Sequence, residues 1–116
     1  MATNLRRFAA RGEPCRAILL DREDIFYIEA EGDDSLIRTA RRKRYPHVEP
    51  LEDVEGRLPS PPFFRIHRSY IVNLDRVYEL RTRGDGEWEV KMDPPVNKVL
   101  PVSRRRMDEL RALLGI

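Results

Sequence analysis

The chain has 116 residues, of which 41% are hydrophobic and 36% charged, and a formal net charge of +2. That length supports one domain with a modest core. No stretch approaches the roughly 20 apolar residues that cross a bilayer, and the start, from Met1 to Arg7, lacks the apolar run of a secretory signal. Cys15 is the single cysteine, which excludes an intrachain disulfide and a cysteine zinc site. The expected setting is the cytoplasm, with no membrane partner.

Charge is unevenly spread. Residues 1–56 carry 10 Lys and Arg against 12 Asp and Glu, whereas residues 57–116 carry 12 against 8. Of the 22 basic residues 19 are Arg. Arginine offers a planar fork suited to phosphates and guanine edges. A GC-rich genome would give the same bias, so the bias alone decides nothing.

Residues 1–14 are expected to form an arm or one short helix, with Leu5, Phe8 and Ala9 on one side and Gly12 and Pro14 ending it. The domain proper is expected over residues 15–116. Arg16 to Leu20 reads as a strand, followed by a turn over Asp21 to Asp24. Ile25 to Ala30 is rich in β-formers and is the clearest strand of this half. Glu31 to Asp34 is a turn signal, and Leu36 to Thr39 a returning strand. The run from Arg41 to Arg44 is too polar for a core and reads as a hairpin tip, with Tyr45 to Val48 leading out of it.

From Pro50 the period changes. Leu51, Val54 and Leu58 share a helix face, Pro50 suits the first helical position, and Glu52 and Asp53 suit the positive end of the helix dipole. Prolines at 59, 61 and 62 stop that helix. Strands are expected over Phe63 to Ile66, Val77 to Arg81, Trp88 to Met92 and Val99 to Val102, with Tyr70 to Asn73 entering a turn and Gly84 to Gly86 closing a hairpin. Ser103 is a natural N-cap for a last helix lined by Met107, Leu110 and Leu114. The expected fold class is therefore mostly β, in small antiparallel sheets with two short helices, near 50–58 and 104–114. There is no βαβ rhythm and no Gly-rich phosphate loop.

Enzymatic constellations are thin. His47 and His67 are the two histidines, and they do not stand at a metal-ligand spacing. Asp24, Glu29, Asp33 and Asp34 are scattered by strand alternation. No catalytic residue, metal or cofactor is expected. One local feature is odd: Ser103 is followed by Arg104, Arg105 and Arg106, cations at the positive end of a helix dipole. Asp108 and Glu109 stand four residues on from Arg104 and Arg105 and would offset part of that repulsion. Backbone donors, three arginines and a hydroxyl make an anion site; a solvated basic turn is the plain alternative.

The segment from Phe63 to Leu74, FFRIHRSYIVNL, decides between these readings. It resembles the LytTR (LytR/AlgR-type) DNA-binding domains of bacterial response regulators, whose hallmark is a strand running into H-R-S-Y-I-V-N. Upstream, Ile25 to Gly32 (IFYIEAEG) resembles the family's Y-I-E-A segment. Downstream, Leu100 to Arg105 (LPVSRR) resembles its P-V-S-R segment. Three motifs in the family's order span nearly the whole chain.

The resemblance implies an elongated fold of small antiparallel sheets. Loops at one end would enter successive major grooves of bent duplex DNA, at paired or tandem sites filled by two copies. It implies base contacts from Ser35, in the loop after the Y-I-E-A strand, and from Arg68 and Arg105. It implies phosphate contacts from Ser69 and Ser103, through hydroxyl and backbone N–H groups, and the anion site after Ser103 adds Arg104 and Arg106 as expected phosphate contacts. Asp33 and Asp34 depart from the pattern, since carboxylates meet a phosphate-rich groove poorly. His67 is read as bonding backbone at its strand end, Asn73 as a turn residue. The tip at 41–44 should point away from DNA, because successive hairpin tips alternate ends. Family members usually carry a sensor or receiver domain ahead of this one; the roughly 15 residues before the first strand suit a stand-alone regulator or one piece of a longer protein. A protein-interaction or RNA-binding β-module without base reading is the alternative function.

Overall fold

The hydrophobic pattern resolves into two cores on opposite faces of one sheet. The computed structural model describes residues 6–41 and 44–116. Its elements are β1 (Arg7–Glu13), β2 (Arg16–Asp21), β3 (Ile25–Glu31), β4 (Asp34–Thr39), β5 (Arg44–His47), α1 (Leu51–Glu55), β6 (Phe63–His67), β7 (Tyr70–Asn73), β8 (Val77–Thr82), β9 (Trp88–Met92), β10 (Val99–Val102) and α2 (Met107–Leu114). Five strands in the order β5-β4-β3-β7-β6 form the central sheet, flanked by the β1-β2 hairpin and by the sheet β10-β9-β8. All pairings are antiparallel. The domain measures 47 × 29 × 25 Å, elongated as expected.

Strand alternation sends Ile28, Ile37 and Ile71 to one face, where they meet Phe8 and Leu20 of the hairpin and Leu51, Val54 and Leu58 around α1. The other face carries Tyr27, Phe64, Ile66 and Val72 against Val90, Met92, Leu100, Met107 and Leu110. Ile28, Ile37, Val72 and Leu110 are fully buried, each worth about 1.5–3 kcal/mol of apolar transfer. A register shift between Ile25 and Tyr27 in the β3–β4 pairing lets Phe26 and Tyr27 join the same core.

Three expectations are corrected. Residues 7–13 are a strand, not an arm or helix: Phe8 and Ala10 alternate inward, and β1 pairs with β2 from Arg7↔Asp21 to Glu13↔Arg16. Gly12 does not end a helix. A Cβ there would lie 2.7 Å from the Pro46 carbonyl oxygen, so glycine lets β1 cross close to β5. Leu5, part of the same expected apolar side, lies outside the described residues. The middle helix is shorter than expected, because Gly56 closes it after Glu55, and Pro50 occupies its N-cap rather than its first helical position. The last helix proper begins at Met107, after a 3-10 turn over Arg104–Arg106. It ends at Gly115, whose left-handed φ of 75° lets the Ile116 N–H reach the Arg111 carbonyl.

Candidate nucleic-acid interface

Register brings three turns to one end of the central sheet. The β3–β4 turn is closed by the Glu31↔Asp34 pair, with Gly32 at a φ of 59°. The β6–β7 turn, His67 to Tyr70, lies beside it, since Glu29 pairs with Tyr70 and the Ala30 N–H donates to the Ser69 carbonyl at 2.9 Å. The end of β10 is tied to the same place by the Ser103 N–H, which donates to the Ile66 carbonyl at 2.8 Å. Residues far apart in sequence are thus held side by side by backbone hydrogen bonds. The connection after β4 emerges at the opposite end of the sheet, as hairpin alternation requires. Of that polar run Arg42 and Lys43 lie outside the described residues.

The arginines at the three-turn end differ in what they touch. Arg68 and Arg105 are exposed, and neither guanidinium has an ion-pair or hydrogen-bond partner among the described residues. Arg104 pairs with Glu87 at 3.0 Å, and Arg106 with Glu109 at 4.0 Å. Asp108 and Glu109, the partners expected for Arg104 and Arg105, therefore do not pair with them. A 3-10 turn lacks the 3.6-residue stacking that an i, i+4 pair needs. The Glu87 contact brings the β8–β9 hairpin up to the same end. At 74% and 42% side-chain exposure the Arg104–Glu87 pair is weak, worth about 0–1 kcal/mol, so Arg104 is easily released to another anion.

Ser35 does not stand in a loop. It lies in β4, opposite Ala30 and His47, and is 1% exposed with its hydroxyl unpartnered. The strand begins at Asp34, two residues earlier than the apolar pattern suggests, which carries Ser35 into the sheet and buries its side chain. Ser69 and Ser103 lie at the three-turn end, but their backbone N–H groups are spent internally, on the His67 Nδ1 at 3.1 Å and on the Ile66 carbonyl. Ser103 occupies the N-cap position without a side-chain cap bond.

The histidines are structural. His67 orders its own turn through Ser69 and packs its ring 5.7 Å from that of Tyr70. His47, fully buried, accepts from the Arg11 N–H at Nδ1 and meets Glu49 at 2.6 Å through Nε2. Asn73 bonds its turn, accepting from the Asp75 N–H, and donates to the Ile25 carbonyl. Burial pushes the Tyr27 phenol up, so that it stays neutral and acts as packing against Tyr70. No group of His, Cys, Asp and Glu among the described residues could hold a metal. No helix among them is long and apolar enough to cross a membrane.

Residues 16–115 match the family described as the LytTr DNA-binding domain. The chain belongs to that family. The heme-containing CO-sensing transcriptional regulator RcoM 1 of Paraburkholderia xenovorans is 40% identical over 101 residues, covering 87% of this chain and 37% of the regulator. The transcriptional regulatory protein YpdB of Escherichia coli is 32% identical over 103 residues, again 87% of this chain and 41% of that protein. The chain thus spans about two fifths of the length of the curated relatives it matches. In fold it is similar to the LytTr DNA-binding domain of a putative methyl-accepting/DNA response regulator from Bacillus cereus. That likeness has a TM-score of 0.81 at 22% identity and covers 97% of this chain and 100% of that one.

Two residues at this end of the LytTR domain carry no signal by residue type. Glu87 is separated from Arg104 by 17 positions, and nothing in a turn-rich stretch marks it. Arg65 looks like an outward polar residue of a strand. Instead its guanidinium turns along the β6–β7 turn, Nε donating to the His67 carbonyl at 3.1 Å and Nη2 to the Arg68 carbonyl at 2.6 Å. Nη1 meets Glu55 of α1 at 3.0 Å.

Proposed function

We propose that this LytTR domain binds duplex DNA sequence-specifically in transcription regulation, acting in the cytoplasm, with Arg68 and Arg105 reading base edges. The observation that carries the reading is the pairing of location and freedom. The turns bearing these two arginines are hydrogen-bonded to one end of the central sheet, and their guanidinium groups are exposed without ion-pair partners among the described residues. A guanidinium tied up by a carboxylate would have to lose that partner before meeting guanine O6 and N7. The Ser69 and Ser103 hydroxyls, with Arg104 and Arg106, hold phosphates and set the register on the duplex. Ser35, buried in β4, has no part in this scheme.

Family resemblance supports turns entering successive major grooves, a bent duplex, and two copies on adjacent or paired sites. Turns rather than a recognition helix present the arginines, and that suits a fold whose described helices have 5 and 8 residues. Transcriptional regulation is what the names of RcoM 1 and YpdB state for those proteins.

The deciding experiment selects binding sites from random duplexes and then competes the selected site against random duplex, single strand and RNA. The expected result is preference for the selected duplex and a steep loss of affinity with salt. With about 4–6 phosphates neutralised, log K against log salt should slope roughly −4 to −5. A flat salt response, or equal competition by every nucleic acid, removes base-specific DNA reading and favours a protein-interaction or RNA-binding module.

A further inference from the structure

Arg65 is committed on three sides. Its side chain is 17% exposed, and all three of its nitrogens have partners: the carbonyls of His67 and Arg68, and Glu55. Both carbonyls belong to the turn that presents Arg68, and one is the carbonyl of Arg68 itself. Two further ties hold that turn, the Ser69 N–H to His67 Nδ1 bond and the Ala30 N–H to Ser69 carbonyl bond from β3, and neither engages the Arg68 carbonyl. β7 starts directly after it at Tyr70, and β6 is irregular just before it, with a register shift between Arg65 and His67. A turn beside a bulge has lost ladder hydrogen bonds and would otherwise sample several backbone conformations. Charge-assisted bonds are stronger than neutral ones, and here two of them hold adjacent carbonyls.

We propose that Arg65 is a positioning residue for DNA discrimination, fixing the backbone of the 67–69 turn so that Arg68 is aimed before DNA arrives. This rests on the reading of Arg68 as a base contact given above. Bidentate recognition tolerates little misplacement, so a loosely held turn would lose selectivity while keeping its charge. Glu55 aligns the fork from α1, which makes α1 a strut for the turn. Arg65 serves geometry that lysine cannot: a planar fork reaches two carbonyls and a carboxylate together, whereas an ammonium acts as one point charge.

The test measures Arg65→Lys against the selected duplex and random duplex, alone and combined with Arg68→Ala. Charge is conserved, so random-duplex affinity should stay within about 2-fold while selected-duplex affinity falls about 5- to 20-fold. On the Arg68→Ala background the same substitution should add less than about 2-fold. Faster amide exchange at residues 67–70 should accompany the loss. Equal losses on both duplexes would overturn the proposal, making Arg65 a backbone contact, and so would an undiminished effect in the Arg68→Ala background. Should Arg68→Ala itself leave discrimination intact, the base-reading assignment fails, and the exchange data then report the turn's order separately. Should Arg65→Lys fail to fold, Glu55→Gln decides: it lies on an exposed helix end, and an unchanged ratio of selected to random binding overturns the strut.

Discussion

Two ends of the central sheet are arginine-rich, and they are built differently. At one end Arg68, Arg104, Arg105 and Arg106 come from segments hydrogen-bonded to neighbouring strands, through Ala30 to Ser69 and Ser103 to Ile66. At the other, Arg41 and Arg44 flank the β4–β5 connection. By sequence the second end is the more conspicuous, with consecutive cations from Arg41 to Arg44. Charge density alone attracts any polyanion. Reading a base needs a cation whose backbone is fixed against the rest of the fold, and the first end supplies that through bonds between distant segments.

The largest expected effect separates reading from attraction at that first end. Arg105→Ala, and separately Arg68→Ala, should lower selected-duplex affinity about 10- to 100-fold, since one bidentate pair discriminates by about 1–3 kcal/mol. Random-duplex affinity should hardly change in fluorescence anisotropy titrations. Equal loss on both duplexes would reduce either residue to a phosphate clamp.

A smaller effect is expected one residue away. Arg104→Ala should weaken selected and random duplex together, by about 3- to 5-fold, with their ratio intact. Arg104 already shares its charge with Glu87. Glu87→Gln therefore frees it, and binding to both duplexes should rise slightly rather than fall. A change in the ratio for either variant would move Arg104 from the backbone to the bases.

How far the sequence could be read follows the range of the interactions involved. Most strands, the face formed by Leu51, Val54 and Leu58, and the three motifs rest on local pattern, and the structure agrees with them. The segment from Arg7 to Glu13 was ambiguous because Phe8 and Ala9 suit a helix face while Phe8 and Ala10 suit a strand. Pairing with β2 and the close approach of Gly12 to Pro46 settle it, and both are tertiary. Ser35 was misplaced because a strand boundary is set by pairing, here Glu31↔Asp34, and not by where apolar residues begin. Arg65 lies inside the FFRIHRSYIVNL segment, yet a single sequence cannot tell a solvated strand arginine from one folded back on the next turn's carbonyls.

The smallest expected effect is the sharpest test of the comparison. The β3–β4 turn and the β4–β5 connection lie at opposite ends of β4, six residues long, which at about 3.3 Å per residue separates them by roughly 20 Å. That exceeds the Debye length of about 8 Å at physiological salt, so cations at the far end should add little to a complex formed at the near end. Arg41→Ala combined with Arg44→Ala should therefore change selected-duplex affinity by less than about 2-fold at 0.15 M salt. The change should grow as salt is lowered, because screening then weakens and the far charges begin to contribute to general attraction. The slope of log K against log salt should stay within about one unit of the parent value. Had these arginines contacted the duplex directly, the double variant would lose about two units of slope and affinity on both duplexes alike. That outcome would bring DNA along the length of the sheet and dissolve the distinction between its two ends.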